Sequence, residues 1–437
     1  MKAADRGATV TGGRDATMRY IPGDAALSVC MPPNPQAPSG WRWVALDKVA
    51  KMESGHTPSR RHPEYWVGDI PWIGVRDAGK NHGATITDTA EHTNELGINN
   101  SSARLLPKGT VCLSRGGTVG YVIMLGRPMA TSQGFANWIC GDELKPEFLA
   151  YLFLSEIDAL HRFSIGTTIQ TIYYPDLKAF HVCIPQLPEQ QRIVGLLDEA
   201  FDCIATAKAN AEKNLQNARA LFESHLQSVL IQRGSGWKTT TLGEEIDLLA
   251  GFAFKSGQYT NTNDDIRLLR GDNIIPGCLR WDDVKRWPAN DTEEYDRYQL
   301  CEGDVVLAMD RPWVKAGLKH ATISADDVPC LLVQRTARLR GGTNLDNRFL
   351  KLLIGSSAFT SHILGVQTGI GVPHISGQQI KDFEFARPPI GDQRRIANNL
   401  ESLREVTLRL ESLYQQKLAA LEALEKSLLH QAFSGEF

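Results

Sequence analysis

The chain has 437 residues, of which 42% are hydrophobic and 22% are charged, and its formal net charge is −3. These values are typical of a folded protein of two to four domains and exclude a fibrous repeat or a disordered chain. No apolar stretch approaches the roughly 20 residues that span a bilayer. The first ten residues contain no apolar core and the eight cysteines no zinc-ligand spacing, so we expect no secretory signal, reduced thiols and a cytoplasmic location.

The chain contains two copies of one pattern, about 200 residues apart. The matched segments, in chain order, are 40–41 with 236–237, 106–113 with 300–307, 148–149 with 349–350, and 189–193 with 392–396. Their order is the same in both copies, and the offset drifts by only a few residues. The pattern therefore indicates duplication of a domain.

After an N-terminal extension at residues 1–40, each copy begins with a β-rich domain, predicted at 41–188 and 237–390. Short apolar runs separated by Gly, Pro and Asn predict the strands, and one helix is expected in each domain, near 146–161 and 346–363. We predict an α/β (α+β) fold in which two β-rich domains are separated by a pair of long antiparallel helices, in a pseudo-two-fold internal repeat.

Each domain is followed by a long helical segment, assigned to residues 189–236 and 391–437. The helices themselves are predicted at 189–231 and 392–432, because each of these runs lacks Pro and starts with an acid after a Pro-rich stretch. The first predicted seam contains Ile193, Leu197, Ala200, Ile204, Ala207, Ala211, Asn214, Ala218 and Leu221. The second contains Ile396, Leu400, Leu403, Thr407, Leu410, Tyr414, Lys417, Leu421, Leu424 and Leu428. We favour pairing of the two helices along these seams, over each seam resting on its own domain.

Catalytic motifs are missing from the sequence. Gly369-Ile370-Gly371 is followed by Pro373 and His374 where a dinucleotide site needs a helix. There is no phosphate-binding loop, no Asn-Pro-Pro-aromatic or Asp-Pro-Pro-aromatic motif of an amino-methyltransferase, and no His-Glu-x-x-His zinc helix. We therefore expect no catalytic residue and no metal site in this chain.

Polar loops follow strands at matching places in the two copies. Arg can read guanine, Gln can pair with adenine, and Gly lets the backbone approach phosphate, so these loops are candidates for contact with DNA. The candidate residues are Arg115, Gly116, Thr118, Tyr121, Gln133, Thr167, Thr168, Gln170, Arg311, Trp313, Lys315, Gln334, Arg335 and His374. The alternative for each is a solvated side chain or a structural cap in a turn.

Six short motifs stand out in the first copy. They are Gly55-His56-Thr57-Pro58-Ser59, Ile70-Pro71-Trp72-Ile73, Leu106-Pro107-Lys108-Gly109-Thr110, Ser132-Gln133-Gly134, Gly166-Thr167-Thr168-Ile169-Gln170 and the run from Glu189 to Ile193. Together they make the chain resemble the specificity subunits of type I restriction-modification systems, over about residues 41–437. Their order and duplication are more specific than any single motif. The second copy departs from the pattern, with Gly251-Phe252-Ala253-Phe254 in place of the Thr-Pro form and an altered Gly-Thr-Thr loop.

The resemblance implies a non-catalytic subunit with two target-recognition domains, each reading half of a bipartite, asymmetric site on double-stranded DNA. It also implies helices that space these domains and dock two methyltransferase subunits, with restriction subunits joining the complex. S-adenosylmethionine, ATP and magnesium would be used by those partners and not by this chain. The extension at 1–40 lies outside the resemblance and is either a flexible arm or a segment that packs on a partner.

Two other functions remain open from the sequence. A single-chain enzyme that both recognises and methylates DNA would bind S-adenosylmethionine by itself. A scaffold that joins proteins through the helix pair would bind no duplex DNA in any assembled complex. The net charge of −3 does not favour a nucleic acid as the partner, because affinity for DNA comes largely from positive charge. The net charge of the whole chain, however, does not describe the charge of one local surface.

Overall fold

The computed structural model describes residues 37–161, 164, 170–178, 180–231, 234–291, 293–368 and 373–437. The chain divides into two compact units. The first unit takes in the chain up to Asn210 together with Lys417–Phe437, and the second unit is Ala211–Gln416. Each unit therefore contains one β-rich domain and a part of both long helices.

The first unit is built on a five-stranded sheet of order β2-β9-β6-β7-β4, a three-stranded sheet of order β5-β3-β8, and the pair β1–β10. Its strands are β1 Arg42–Ala45, β2 Ala50–Ser54, β3 Ile70–Ile73, β4 Thr85–Ile86, β5 Glu91–Thr93, β6 Val111–Ser114, β7 Val122–Leu125, β8 Ala130–Thr131, β9 Phe135–Cys140 and β10 His181–Ile184. Its helices are α1 Leu46–Val49, α2 Val75–Lys80, α3 Glu95–Asn99, α4 Pro146–Ser155, α5 Ile157–His161 and α6 Tyr174–Lys178, with a 3-10 turn at Pro63–Trp66.

The second unit repeats this plan with a four-stranded sheet of order β12-β22-β17-β20 and a three-stranded sheet of order β16-β13-β21. Its strands are β11 Lys238–Thr241, β12 Ile246–Ala250, β13 Ile266–Leu269, β14 Ile274–Ile275, β15 Cys278–Leu279, β16 Arg286–Trp287, β17 Val305–Ala308, β18 Trp313–Val314, β19 Gly317–Leu318, β20 His320–Thr322, β21 Cys330–Leu332, β22 Thr336–Gly341 and β23 Glu384–Arg387. Its shorter helices are α8 Leu242–Glu245, α9 Asn347–Ile354, α10 Ser357–Val366 and α11 Gly377–Lys381, with 3-10 turns at Ser256–Gln258, Ala289–Asp291, Glu293–Tyr298 and Ala325–Asp327.

The duplication read from the sequence is present in the strand pairing and in backbone packing. Val111 pairs with Trp138, and its counterpart Val305 pairs with Leu339. A Cβ placed on Gly55 would lie 2.0 Å from the Ser132 carbonyl oxygen, and one on its counterpart Gly251 would lie 2.1 Å from that of Val333. Both glycines are required because the backbone just after β8 or β21 passes where a side chain would stand.

The two long helices, α7 Leu187–Ile231 and α12 Ile390–Ser434, have 45 residues each. Both begin two residues earlier than predicted. Pro188 lies within the first turn of α7, where proline is tolerated because the missing N–H has no intrahelical partner there. The proline thus starts this helix instead of preceding it.

A buried glutamine ties each long helix to its own β-rich domain. Gln190 accepts a hydrogen bond from the Lys145 N–H at 2.9 Å and donates to the carbonyls of Glu143 and Pro185, both at 2.9 Å. Gln393 makes the same three bonds in the second unit. Its partners are the Asp346 N–H at 2.9 Å and the carbonyls of Asn344 and Pro388, both at 2.8 Å. The sequence match between 189–193 and 392–396 thus reflects a shared anchor.

The helices run antiparallel where they pair inside each unit. In the first unit, the Lys208 ammonium lies 2.7 Å from Glu425. In the second unit, the Arg219 guanidinium lies 3.0 Å from Glu411. The predicted antiparallel helix pair is therefore present in the parts of the helices that each unit contains.

The predicted seam is correct only along part of each helix. Ile193, Leu197, Ile204 and Leu400 are buried, and Ile396, Leu403, Leu410 and Leu421 are half-buried. Leu221 and Leu424 are 48% and 45% exposed, so their assignment to the seam was wrong.

In both helices the buried stripe moves forward by one residue at matching positions. Leu215 replaces Asn214 after Ala211, and Leu418 replaces Lys417 after Tyr414. Phe222 and Glu425 then take the places predicted for Leu221 and Leu424. An α-helix has 3.6 residues per turn and drifts relative to a strict repeat of seven, which explains the shift over this length.

Among the described residues, no single helix is long and apolar enough to cross a membrane. The bent pair α9 and α10 passes that test on length and composition together. Phe349, Leu350, Ile354, Phe359 and Ile363 of this pair are fully buried in the core of the second unit.

Candidate nucleic-acid interface

In the first unit, three of the predicted loops meet. The Arg115 N–H donates to the Gly134 carbonyl at 2.7 Å, which joins the loop after β6 to the turn that contains Gln133. Gly116 forms an isolated β-bridge with Thr171, next to Gln170. Tertiary pairing therefore brings together segments that are far apart in the sequence.

The side chain of Arg115 has structural partners inside this unit. Its guanidinium donates to the Ile172 carbonyl at 2.9 Å and lies 4.0 Å from the centroid of the Tyr174 ring. The residue is half-buried. These contacts support a structural role for the Arg115 side chain, which is the alternative to the predicted contact with DNA.

The other candidates of the first unit differ in their surroundings. Gln133 is exposed and accepts a hydrogen bond from the Thr57 hydroxyl at 2.5 Å. Thr118 is exposed, and its carbonyl accepts from the Ser114 hydroxyl at 2.6 Å. Tyr121 is half-buried with its ring 5.6 Å from that of His82, and Gln170 is exposed. Thr167 and Thr168 lie outside the described residues.

Two arginines near these loops, Arg61 and Arg76, were not among the residues predicted to contact DNA. Arg76 is exposed at the start of α2. The side chain of its neighbour Val75 lies next to Gly134, where it would be 3.3 Å from a Cβ placed on that glycine. Arg61 is exposed in the loop that begins at His56, whose N–H donates to the Thr131 carbonyl at 2.8 Å. A signal was available, because both arginines lie within three residues of the end of a segment that carries the family resemblance.

In the second unit, Arg311, Gln334, Arg335 and His374 converge. The Met309 N–H donates to the Arg335 carbonyl at 2.9 Å, and the Arg311 N–H donates to the Pro373 carbonyl at 2.7 Å. Asp310 forms a β-bridge with His374. All four candidate side chains are exposed. This group is called the arginine surface below.

The backbone of the arginine surface is strained at both arginines. Arg311 has φ of 45° and Arg335 has φ of 69°. Among the described residues, every other positive φ belongs to glycine. A side chain in this region costs roughly 1–3 kcal/mol, and such residues cluster at binding and active sites. The strain therefore marks this surface independently of the sequence argument.

Contacts within the arginine surface leave most of its donors accessible. Arg335 lies 3.5 Å from the Asp310 carboxylate, and the Thr368 hydroxyl lies 3.0 Å from His374 Nε2. The Gln334 N–H donates to the Phe252 carbonyl at 2.7 Å, which leaves its side-chain amide exposed. Burial lowers the pKa of nearby Lys319; Asp272 opposes this shift, and repulsion from Arg311 adds to it.

The loops match between the two units, but the predicted arginines do not. Arg115 and Met309 make equivalent bonds, since each N–H reaches the turn after the neighbouring strand and each carbonyl accepts from an isoleucine N–H. Arg311 therefore corresponds to Gly117, which also has a positive φ, at 85°. Arg115 and Arg311 are therefore two residues apart when the two loops are aligned. Gln133 and Gln334 do occupy equivalent positions.

Trp313 and Lys315 lie on a hairpin formed by β18 and β19. Trp313 is 42% exposed and lines a cleft together with residues of both long helices, while Lys315 is exposed at the hairpin turn. The structure therefore separates Trp313 from the arginine surface. In the described part of the chain, no group of three or more His, Cys, Asp or Glu residues could hold a metal ion.

Residues 38–217 match the family model described as type I restriction modification DNA specificity domain. The chain is 37% identical over 243 residues to the type I restriction enzyme EcoAI specificity subunit of Escherichia coli. That alignment spans 55% of this chain and 40% of the length of the relative.

Two solved structures share the fold. One, from work on assembly and conformational transition of the type I restriction-modification system, has a TM-score of 0.72 at 18% identity and covers 92% of this chain and all of the other. The other is the HsdS subunit of Thermoanaerobacter tengcongensis, with a TM-score of 0.60 at 19% identity, over 92% of this chain and 98% of the other. At these identities the likeness concerns the fold alone.

Proposed function

We propose that the chain is a type I restriction-modification specificity subunit that recognises a bipartite, asymmetric DNA sequence, as its matches to that family support. Each β-rich domain reads one half of the site. The observation that carries the proposal is the arginine surface, where exposed Arg311, Gln334 and Arg335 converge and the backbone is strained. Arginine and glutamine are the side chains that read guanine and adenine in the major groove.

The chain acts in this proposal as a non-catalytic subunit. Two methyltransferase subunits dock on its long helices, and restriction subunits join them. Exposed Val406 and Leu413 on α12 support docking, because large apolar side chains on a helix surface are typical of protein interfaces. S-adenosylmethionine, ATP and magnesium serve the catalytic partners, and this chain supplies no catalytic cofactor site.

The first experiment defines the target. Genomic DNA from cells that express the methyltransferase partner, with and without this chain, is sequenced by a single-molecule method that detects modified adenine. We expect one bipartite motif to be modified only when the chain is present. Modification that is independent of the chain would contradict the proposal.

The second experiment tests the arginine surface on that motif. Arg311→Ala and Arg335→Ala should each weaken binding of the assembled complex by about 1–3 kcal/mol on the specific duplex, with the loss confined to one half-site. Arg115→Ala should affect specificity less, because its guanidinium already has partners inside the protein.

The matched control is Lys381→Ala, which removes one positive charge from α11 of the same unit. It should leave the preference for the specific duplex unchanged. Equal losses for Arg311→Ala on specific and random duplexes would assign the arginine to phosphate. No loss for either arginine variant would contradict a role of this surface in recognition.

A further inference from the structure

The second unit contains a cleft of about 480 Å³ next to the helix pair. The β18–β19 hairpin contributes Trp313, β20 contributes His320, and α9 contributes Lys351. The long helices contribute Phe222 and Arg404. The arginine surface does not line this cleft, so the proposed DNA contact leaves it without a role.

Two cations in the cleft form no ion pair with a described residue. The Lys351 ammonium makes no hydrogen bond, although the Lys351 carbonyl accepts one from the Gly355 N–H at 3.0 Å, and the Arg404 guanidinium lies 5.6 Å from the centroid of the Phe222 ring. The nearby acids are engaged elsewhere. Three carboxylates take other partners: Glu411 pairs with Arg219 at 3.0 Å, Glu401 with Arg348 at 3.6 Å, and Glu223 accepts from the Gln227 amide at 3.3 Å.

The electrostatics of the cleft favour a bound anion. Burial lowers the pKa of Lys351 and the neighbouring Arg404 adds repulsion, whereas Glu401 acts in the opposite direction. Burial also lowers the pKa of His320; its hydrogen bond with the Leu318 carbonyl opposes this shift, and repulsion from Arg404 and Lys351 adds to it. Two like charges whose nearby carboxylates are engaged by other side chains are costly in a partly desolvated site, and an anion would relieve that cost.

The cleft also presents apolar surface beside these cations. Trp313 is 42% exposed and Leu408 is 53% exposed, although both line the cleft. A flat aromatic ring of a ligand would stack on Trp313, because Trp offers a large face for stacking. The volume falls within the range of sites that hold small molecules and cofactors.

The equivalent place in the first unit lacks this combination. Ala150 stands where the second unit has Lys351, and Phe201 stands where it has Arg404. Glu147, Tyr151 and Asp198 line the corresponding cleft, and the Tyr151 hydroxyl donates to Asp198 at 2.5 Å. The cation pair is therefore a property of the second unit and not of the duplicated fold.

We propose that this cleft binds a nucleoside diphosphate, with the diphosphate at Lys351 and Arg404 and the base against Trp313. The ligand is a non-catalytic effector, since no motif or metal cluster for its hydrolysis is present among the described residues. The inference is independent of which DNA sequence the chain reads.

The test is isothermal titration calorimetry of the full chain with ADP. Adenosine and inorganic pyrophosphate serve as the two partial ligands. ADP should bind more tightly than either part. Lys351→Gln and Arg404→Gln should each weaken ADP binding by about tenfold, which corresponds to the loss of one charge-assisted contact. Trp313→Ala should weaken binding of ADP but not of pyrophosphate.

Lys255→Gln is the matched control, because Lys255 is an exposed lysine of the same unit that does not line the cleft. It should bind ADP like the unaltered chain. Thermal unfolding and the charge-preserving Lys351→Arg variant distinguish a local effect from misfolding, since Lys351→Arg should retain binding.

Two outcomes would overturn the proposal. The first is absence of ADP binding at millimolar concentration, or binding that the cleft variants leave unchanged. The second is displacement of ADP by duplex DNA together with loss of DNA affinity in Lys351→Gln and Arg404→Gln. That result would assign the cations to the DNA backbone.

Discussion

The two units share an apolar framework but differ in the polar residues laid over it. Phe148 and Phe349 are both fully buried under their sheets, and Gln190 and Gln393 make the same three hydrogen bonds. In contrast, Glu147 of the first unit corresponds to Arg348 of the second. The cleft next to this position contains two carboxylates, Glu147 and Asp198, in the first unit and the cations Lys351 and Arg404 in the second.

The difference teaches which positions duplication has constrained. Buried residues must fill the same volume and satisfy the same backbone groups, so both copies retain them. Side chains at the mouth of a cleft or on a loop remain partly solvated, and their replacement costs little stability. Divergence there lets one scaffold present two different binding surfaces.

The largest expected effect tests the shared framework. Gln190→Leu and Gln393→Leu should each lower the free energy of unfolding by about 2–4 kcal/mol, because each leaves one backbone N–H and two carbonyls without a partner. Urea denaturation measures the loss. Gln191→Leu, at an exposed neighbour, should stay within about 0.5 kcal/mol of the original chain. A large loss in only one copy would show that the two anchors are not equivalent.

The second effect tests the seam shift that both helices share. Phe222→Ala should cost about 2 kcal/mol, because Phe222 packs against the buried cluster formed by Leu226, Leu352, Ala397 and Leu400. Leu221→Ala should cost less than about 0.5 kcal/mol, since Leu221 faces solvent. Thermal or urea unfolding of the two variants decides the register. A larger loss for Leu221→Ala than for Phe222→Ala would contradict the shift and support an uninterrupted heptad repeat.

The smallest effect tests the cation pair that distinguishes the second unit. Lys351→Met should raise the free energy of unfolding by about 0.5–1 kcal/mol at neutral pH, since it removes an unpaired, half-buried charge.

The pH dependence of this gain has a definite sign. The pKa of Lys351 is lowered in the folded chain, so the cost of its charge is fully present below that pKa. The cost disappears as the pH rises through the folded pKa towards the unfolded value. Urea unfolding at a series of pH values should therefore show a shrinking gain. Lys255→Met is the control, and an equal gain there would contradict the explanation.

The amino-acid sequence by itself determined the repeat, the two β-rich domains and the two long helices. These features follow from local patterns, because strand and helix periodicity depends on residues only a few positions apart. It also placed Gln133 and Gln334 correctly at equivalent turns, since short polar turns between strands leave a readable signal.

Only the tertiary structure decided how the candidate residues are used. Arg115 meets Ile172 and Tyr174 because a distant segment folds back onto its loop, and no local pattern encodes that contact. Lys351 and Arg404 likewise come together from different helices. The seam shift depends on the cumulative drift of a helix over many turns. Which side chains contact each other, which charges are paired and how the two helices align depend on residues that are far apart in the sequence. These features are therefore determined only when the chain packs.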